Sequence, residues 1–258
     1  MEATMRSSLW NGVRKVKHLL RRARYAVLAP TPVSEAPRQT AVLLPAGLAR
    51  LEGYTMSGAR ILEKQYRLGH DVAARQIPGD LVECGVCDGG SAAALAWGLG
   101  PGDRRVWLYD SFAGLPPTIE LDGQFATGYV GACVGSEAKV REALATADVP
   151  DASTVVRRCW FQDTFLQPLP EVVCLLHLDC DWYESVMLSL NTFYDRVSDG
   201  GVILLDDFGH WEGCREAFYD FVQARGIKPL LERFGHTQAF WVKQRTHNRD
   251  YSGYWEIP

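Results

Sequence analysis

The stretch Leu81-Val-Glu-Cys-Gly-Val-Cys-Asp-Gly-Gly-Ser91 joins an apolar segment to a glycine-rich turn, and an alanine-rich run follows it. The apolar segment predicts a buried strand, and the run from Ser91 to Leu99 predicts a helix. Further apolar segments alternate with helical patterns along the chain, and they begin at Val106, Thr154, Val172 and Gly201. This alternation predicts an α/β fold in which a parallel sheet is covered by helices on both faces.

The last regular segments, residues 229–234 and 238–243, predict an antiparallel hairpin that closes the sheet. The chain of 258 residues has room for one large α/β domain. We expect a basic N-terminal helix and Pro-rich arm over residues 1–50, the main domain over 51–245 and a tail over 246–258. No apolar run reaches the roughly 18 residues that a transmembrane helix needs.

The amino-acid composition argues against some functional classes of protein. The net charge is -4, and nothing in that balance suggests a dedicated nucleic-acid binder. The seven cysteines are an odd number, and several lie in apolar runs, which favours reduced thiols over a disulfide framework. With no signal peptide at the N-terminus, we expect a cytoplasmic protein.

The first residues are different in character. Seven Lys or Arg and no acid lie between Arg6 and Arg24, with apolar residues at helical spacing. The pattern predicts a basic amphipathic helix. Such a helix packs on its own domain or on a partner subunit, or it lies on an anionic membrane surface. A non-catalytic membrane-surface module is therefore one alternative function.

The glycine-rich turn predicts a nucleotide-type ligand. Glycines allow close backbone approach, but the spacing G-x-x-x-G-G from Gly85 lacks the close second glycine of a dinucleotide site, and no Lys follows as in a P-loop. S-adenosylmethionine (SAM) needs no phosphate cradle. Its ammonium suits Glu83, and its ribose hydroxyls suit Asp110 at the end of the second strand. The alternatives are purely structural glycines, or a redox or zinc role for Cys84 and Cys87.

Four carboxylates follow two consecutive strands: Asp179 and Asp181, then Asp206 and Asp207. Consecutive strands tend to be neighbours, so these side chains converge at one edge of the sheet. Clustered carboxylates repel unless a cation or protons neutralise them, and oxygen ligands suit Mg²⁺, with Mn²⁺ or Ca²⁺ as alternatives. Asp179, Asp206 and Asp207 are the predicted ligands, unless some of them merely cap helices.

A metal beside a methyl donor would activate a hydroxyl for methyl transfer. Asp181 is the favoured general base and His210 is its rival, whereas His177 is interpreted as an ordinary strand histidine. A chelating pair of hydroxyls points to a vicinal diol on a sugar or to a catechol. A metal-dependent glycosyltransferase is a further alternative, because Asp179-x-Asp181 imitates its metal motif, but it explains neither the glycine turn nor Asp206 and Asp207.

Several motifs resemble the macrocin O-methyltransferase family, whose members methylate sugar hydroxyls of natural products with SAM and Mg²⁺. The resemblance covers residues 54–243. Its motifs are Tyr54-Thr-Met56, Ile77-Pro-Gly-Asp-Leu-Val-Glu-Cys-Gly-Val86, Leu108-Tyr-Asp-Ser-Phe-Ala-Gly-Leu-Pro116, Asp163-Thr164, Leu178-Asp-Cys-Asp-Trp-Tyr-Glu-Ser185 and Gly200-Gly-Val-Ile-Leu-Leu-Asp-Asp-Phe-Gly-His-Trp211. The last two motifs are the most specific.

The resemblance implies a class I SAM-dependent methyltransferase fold, Rossmann-like, with a mostly parallel seven-stranded sheet. It implies a glycosylated natural product, such as a macrolide, as the acceptor, and a homo-oligomer. The residues expected at the SAM site are Tyr54, Met56, Glu83, Gly85, Ser91, Asp110, Asp163 and Asp179. The family often has Trp and Arg where this chain has Cys87 and Asp88. The segment 122–135 is distinctive, and we expect it to cover the acceptor.

Overall fold

The computed structural model describes residues 43–245. The predicted basic helix, most of the Pro-rich arm and the C-terminal tail lie outside the described residues, so those predictions stay predictions. The described part begins with a short 3-10 helix, Leu48–Tyr54.

Seven strands form one sheet, in the spatial order β3-β2-β1-β4-β5-β7-β6. The strands are β1 Asp80–Cys84, β2 Val106–Asp110, β3 Thr154–Arg158, β4 Val173–Leu178, β5 Val197–Leu205, β6 Glu232–Arg233 and β7 Ala239–Val242. β1 to β5 pair in parallel, and β7 runs antiparallel to both β5 and β6. The predicted parallel sheet and its antiparallel closure are confirmed.

The central strands are buried on both faces. Every residue of β4 is buried, which agrees with its unbroken apolar sequence. The structure differs from the prediction at β5, which begins at Val197 and not at Gly201. The register shifts between Val173 and Leu175 of the neighbouring strand, so the first part of β5 pairs through an irregularity that an apolar pattern does not reveal.

Residues 43–245 contain six α-helices, of which the first precedes β1 and the other five connect consecutive strands. They are α1 Ala59–Ala74, α2 Gly90–Leu99, α3 Glu137–Thr146, the single turn α4 Phe161–Thr164, α5 Tyr183–Phe193 and α6 Glu212–Arg225. α1 packs against α2, and α5 packs against α6. The order of the strands reverses between β1 and β4, and in open α/β sheets the crevice at such a point holds the ligand.

The contact between α1 and α2 is unusually close. A Cβ added at Gly98 would lie 2.0 Å from the carbonyl oxygen of Tyr66, and one added at Gly69 would lie 2.3 Å from that of Leu95. The two helices therefore approach backbone to backbone.

None of the helices in residues 43–245 combines the length and the apolar character that crossing a bilayer requires.

We expect Gly98→Ala to lower the free energy of unfolding by roughly 2–3 kcal/mol, because the added methyl group forces the two helices apart. Urea unfolding followed by circular dichroism measures the change. Gly102→Ala is the control, since Gly102 is exposed and a Cβ there meets nothing within 4 Å. Equal stability of the two variants would contradict the close packing.

Candidate active site

A cavity of about 1040 Å³ opens at the carboxyl ends of the parallel strands. It brings together nearly all the residues that the sequence nominated. Those lining it are Tyr54, Met56, Gly85, Ser91, Asp110, Asp163, Asp179, Asp181, Asp206, Asp207 and His210. The glycine-rich turn and the carboxylate cluster thus share one space, as a two-substrate reaction requires.

The turn after β1 has little room for side chains. Gly85 has a φ of 84°, and a Cβ there would lie 1.8 Å from the carbonyl oxygen of Asp179, so only glycine fits. Gly89, with a φ of 89°, precedes the first turn of α2. The free N–H groups of that turn are partners for a carboxylate such as that of SAM.

Asp110 faces this turn from the end of β2. Its Oδ2 accepts hydrogen bonds from the backbone N–H groups of Val86 (2.7 Å) and Cys87 (2.9 Å), and its Oδ1 accepts one from Phe112 (2.6 Å). These bonds fix the carboxylate at the wall of the cavity. Because a carboxylate has about four acceptor positions, capacity remains for a ligand hydroxyl.

Glu83 lies behind the cavity wall, where its side chain has no exposed surface. The hydroxyl of Ser91, which does line the cavity, donates a 2.5 Å hydrogen bond to Glu83 Oε1. Glu83 Oε2 has no hydrogen-bond partner among residues 43–245. The structure therefore brings Ser91 to the cavity and places Glu83 one layer deeper.

The carboxylate cluster arises because two neighbouring strands stop together. β4 ends at Leu178 and β5 at Leu205, so Asp206 and Asp207 both lie beyond the regular strand and can turn toward one space. Burial raises the pKa of Asp179 well above its usual range, and repulsion from Asp206 and Asp207 adds to this. Burial and the charges of Asp181 and Asp206 likewise raise the pKa of Asp207.

The donor set fits a divalent cation. Ligand atoms of His177, Asp179 and Asp206 lie within 4.8 Å of one another. Asp207 adds a buried oxygen, Oδ2, without a hydrogen-bond partner among the described residues. Unpaired buried carboxylate oxygens are costly, and a bound cation removes that cost.

Asp181 differs from these candidate metal ligands in its backbone conformation and in its hydrogen-bond partner. Its φ of 56° is left-handed, because the chain turns sharply after β4. The indole N–H of Trp211 donates to its Oδ1 at 2.6 Å. Burial raises its pKa to about 7, although the Trp211 hydrogen bond opposes that rise. A carboxylate with such a pKa suits a general base near neutral pH.

The rival base, His210, is exposed, and its ring stacks edgewise on Trp211 with the ring centroids 4.3 Å apart. The predicted covering segment carries two short 3-10 helices, Glu120–Asp122 and Gln124–Tyr129. The rings of Phe125 and Tyr129 lie 5.6 and 5.0 Å from that of Trp211. Phe125 is 67% exposed, so an apolar surface adjoins the carboxylate cluster.

Three residues with evident roles in the site escaped the sequence analysis. His177 is wholly buried between Glu83 and Asp206, Gln238 donates to Asp206 Oδ2 at 3.2 Å, and Trp211 holds Asp181. The first two depend on strand register, which the sequence does not contain. The Gly-His-Trp motif after Asp207 was a usable signal for Trp211.

The crowded carboxyls predict a pH effect on the metal-free protein. A carboxyl whose pKa is raised by folding binds its proton more tightly in the folded state, so stability falls as pH rises through the folded value. Between pH 6 and pH 8 we expect the Tm to fall by roughly 5 °C, because Asp181 titrates near 7. Differential scanning fluorimetry measures this, and Asp181→Asn should flatten the profile; an unchanged slope in that variant would contradict the assignment.

Comparison with known proteins identifies the family. The sequence pattern of Macrocin-O-methyltransferase (TylF) matches residues 7–243. A demethyldecarbamoylnovobiocin O-methyltransferase from Streptomyces niveus is 30% identical over 206 residues, covering 74% of this chain and 76% of the relative. An 8-demethyl-8-(2,3-dimethoxy-alpha-L-rhamnosyl)-tetracenomycin-C 4'-O-methyltransferase from Streptomyces olivaceus is 30% identical over 205 residues, covering 73% and 75%.

The fold agrees with these sequence relatives. The solved structure of the O-methyltransferase NovP superposes with a TM-score of 0.66 at 28% identity, covering 77% of this chain and 88% of that one. This finding confirms the predicted class I methyltransferase fold. The chain belongs to the macrocin-O-methyltransferase family and is an O-methyltransferase that uses SAM.

Proposed function

We propose that the protein methylates a sugar hydroxyl of a glycosylated natural product, with residues 51–245 as the catalytic domain and a divalent cation at Asp179, Asp206 and Asp207. The observation that carries this proposal is the single cavity that holds both the glycine turn and the carboxylate cluster. The relatives support the acceptor class, since their names specify a novobiocin precursor and a rhamnosyl tetracenomycin.

The glycine-turn half of the cavity would hold SAM. Asp110 is fixed by three backbone N–H groups, so its remaining acceptor position can receive a ribose hydroxyl without reorganising. Asp163, in the single turn α4, lines the cavity and would accept from the adenine amino group; it already accepts a 3.2 Å contact from the Cys159 thiol. Tyr54 and Met56 would close over the cofactor, and Met56 is 79% exposed and free to do so.

The carboxylate half would hold the cation and the acceptor. When bound, SAM supplies the methyl group and the cation supplies Lewis-acid activation of the acceptor hydroxyl. Asp179, Asp206 and Asp207 would bind the cation, and Mg²⁺ suits their oxygen ligands, as do Mn²⁺ and Ca²⁺. Asp181 would accept the hydroxyl proton at its carboxylate, while Trp211 keeps that carboxylate oriented.

The exposed apolar surface beside the site suits the rest of the acceptor. Phe125 and Tyr129 belong to the segment that also supplies the cavity-lining residues Asp122 and Cys133. A sugar in the cavity would therefore leave its aglycone against these rings, since exposed apolar patches of this kind commonly bind ligands.

Calorimetric titration of S-adenosylhomocysteine (SAH), followed by a methyl-transfer screen, tests the function. The screen offers demethyldecarbamoylnovobiocin, a rhamnosylated tetracenomycin and a catechol, each with Mg²⁺ and with EDTA. We expect SAH binding, transfer to a glycosylated acceptor and loss of transfer in EDTA. Transfer to the catechol alone would overturn the sugar assignment, and undiminished transfer in EDTA would overturn the metal.

We expect Asp181→Asn to lower kcat by roughly 100-fold or more, because the amide cannot accept the proton. SAH affinity should remain within about threefold, since Asp181 lies on the acceptor side. Rapid-quench methyl transfer with the acceptor found above measures kcat, and His210→Asn is the matched comparison. If His210→Asn shows the larger loss, His210 is the base and Asp181 is not.

A further inference from the structure

A continuous row of buried polar side chains crosses the sheet next to the cavity, and two of its members, Asp206 and Gln238, line the cavity. Glu83, His177, Asp206 and Gln238 belong to β1, β4 and the ends of β5 and β7, which are neighbours in that order. None of the four is more than 7% exposed. Ser91, at the first turn of α2, extends the row to the cavity surface through its 2.5 Å bond to Glu83.

Strand register explains why these side chains meet. Glu83 pairs directly with His177, so both project to the same face of the sheet. His177 pairs with Leu204, and Asp206 follows two residues later on that face. On the other side, Leu205 pairs with Ala239, which places the preceding Gln238 opposite Asp206.

His177 is the member of the row that faces both halves of the site. Its Nδ1 lies 3.4 Å from Glu83 Oε1, an ion-pair contact without hydrogen-bond geometry, and its Nε2 makes a 3.3 Å hydrogen-bond contact with Asp206 Oδ1. Gln238 Nε2 donates to the other oxygen of Asp206 at 3.2 Å. His177 therefore contacts one carboxylate oxygen of Asp206, and Gln238 contacts the other. Neither residue belongs to the loop that carries Asp206.

We propose that His177 is a positioning residue shared by the cation half and the cofactor half of the site. Its Nε2 side orients Asp206, with Gln238 as the second support, and its Nδ1 side orients Glu83 and, through it, Ser91. The inference rests on the proposed function, because it takes Asp206 as a cation ligand and Ser91 as a cofactor contact. Supporting groups of this kind set the direction of a ligand and commonly alter metal affinity by roughly 10–100-fold.

Two substitutions at His177 test its Nδ1 contact and its Nε2 contact separately. The amide nitrogen of Asn reaches about as far as Nδ1 of histidine, and that of Gln reaches about as far as Nε2, and both can donate to a carboxylate. His177→Asn keeps the contact with Glu83 and loses the one with Asp206. His177→Gln keeps the contact with Asp206 and loses the one with Glu83.

The experiment is a pair of titrations on the full chain: Mn²⁺ followed by electron paramagnetic resonance, and SAH followed by calorimetry. For His177→Asn we expect Mn²⁺ affinity to fall by roughly 10–100-fold with SAH affinity within about threefold. For His177→Gln we expect the reverse, with SAH affinity reduced by roughly 10-fold and Mn²⁺ affinity largely kept. Gln238→Leu should weaken Mn²⁺ binding alone.

The crossed pattern distinguishes positioning from a merely structural role. Equal losses of both ligands in both His177 variants, or no loss in either, would overturn the proposal. His70→Asn, at an exposed position on α1, is the control for the substitution itself. Failure of the wild-type protein to bind Mn²⁺ or SAH would instead overturn the proposed function, so the two failures are distinguishable.

Discussion

The structure depends on a concentration of negative charge at the partly buried end of two strands. Asp179, Asp181 and Asp207 lie together in the wall of the cavity, and desolvation raises the pKa of each. Such an arrangement is unfavourable for folding unless protons or a cation compensate. The fold maintains it because the surrounding sheet is apolar and continuous. The site therefore lowers the stability of the fold locally, and the apolar core offsets that loss.

The topology explains why the charge lies beside the cofactor turn. β1 and β4 are adjacent although two strands and three α-helices lie between them in the chain, and the order of the sheet reverses there. The glycine turn leaves β1 at that point, and Asp179 leaves β4 at the same level. Gly85 can lie against the carbonyl of Asp179 only because it has no Cβ. One steric requirement therefore sets the distance between the two reactants.

The sequence predicted the site residues whose position depends only on where a strand ends. It did not predict the contacts that depend on how neighbouring strands are aligned. Asp110, Asp179, Asp206 and Asp207 directly follow apolar strands, so their position at one edge followed from the alternation of strands and helices. The interpretation of His177 as an ordinary strand histidine overlooked its two carboxylate neighbours. Those contacts require the pairing of β1 with β4, and the contact of Gln238 requires the pairing of β5 with β7. Long-range pairing is a tertiary property that no local pattern encodes.

Trp211 contacts both the proposed general base, Asp181, and the covering segment 122–135. Its N–H fixes the orientation of Asp181, while its ring packs against Phe125 and Tyr129 of the covering segment. A change in that segment therefore reaches the carboxylate through a single rigid indole, which is only 5% exposed. Asp181 combines a left-handed backbone conformation with this hydrogen bond, and both set the direction of its carboxylate. Trp211 therefore contacts both the surface that would receive the aglycone and the carboxylate that would accept the proton.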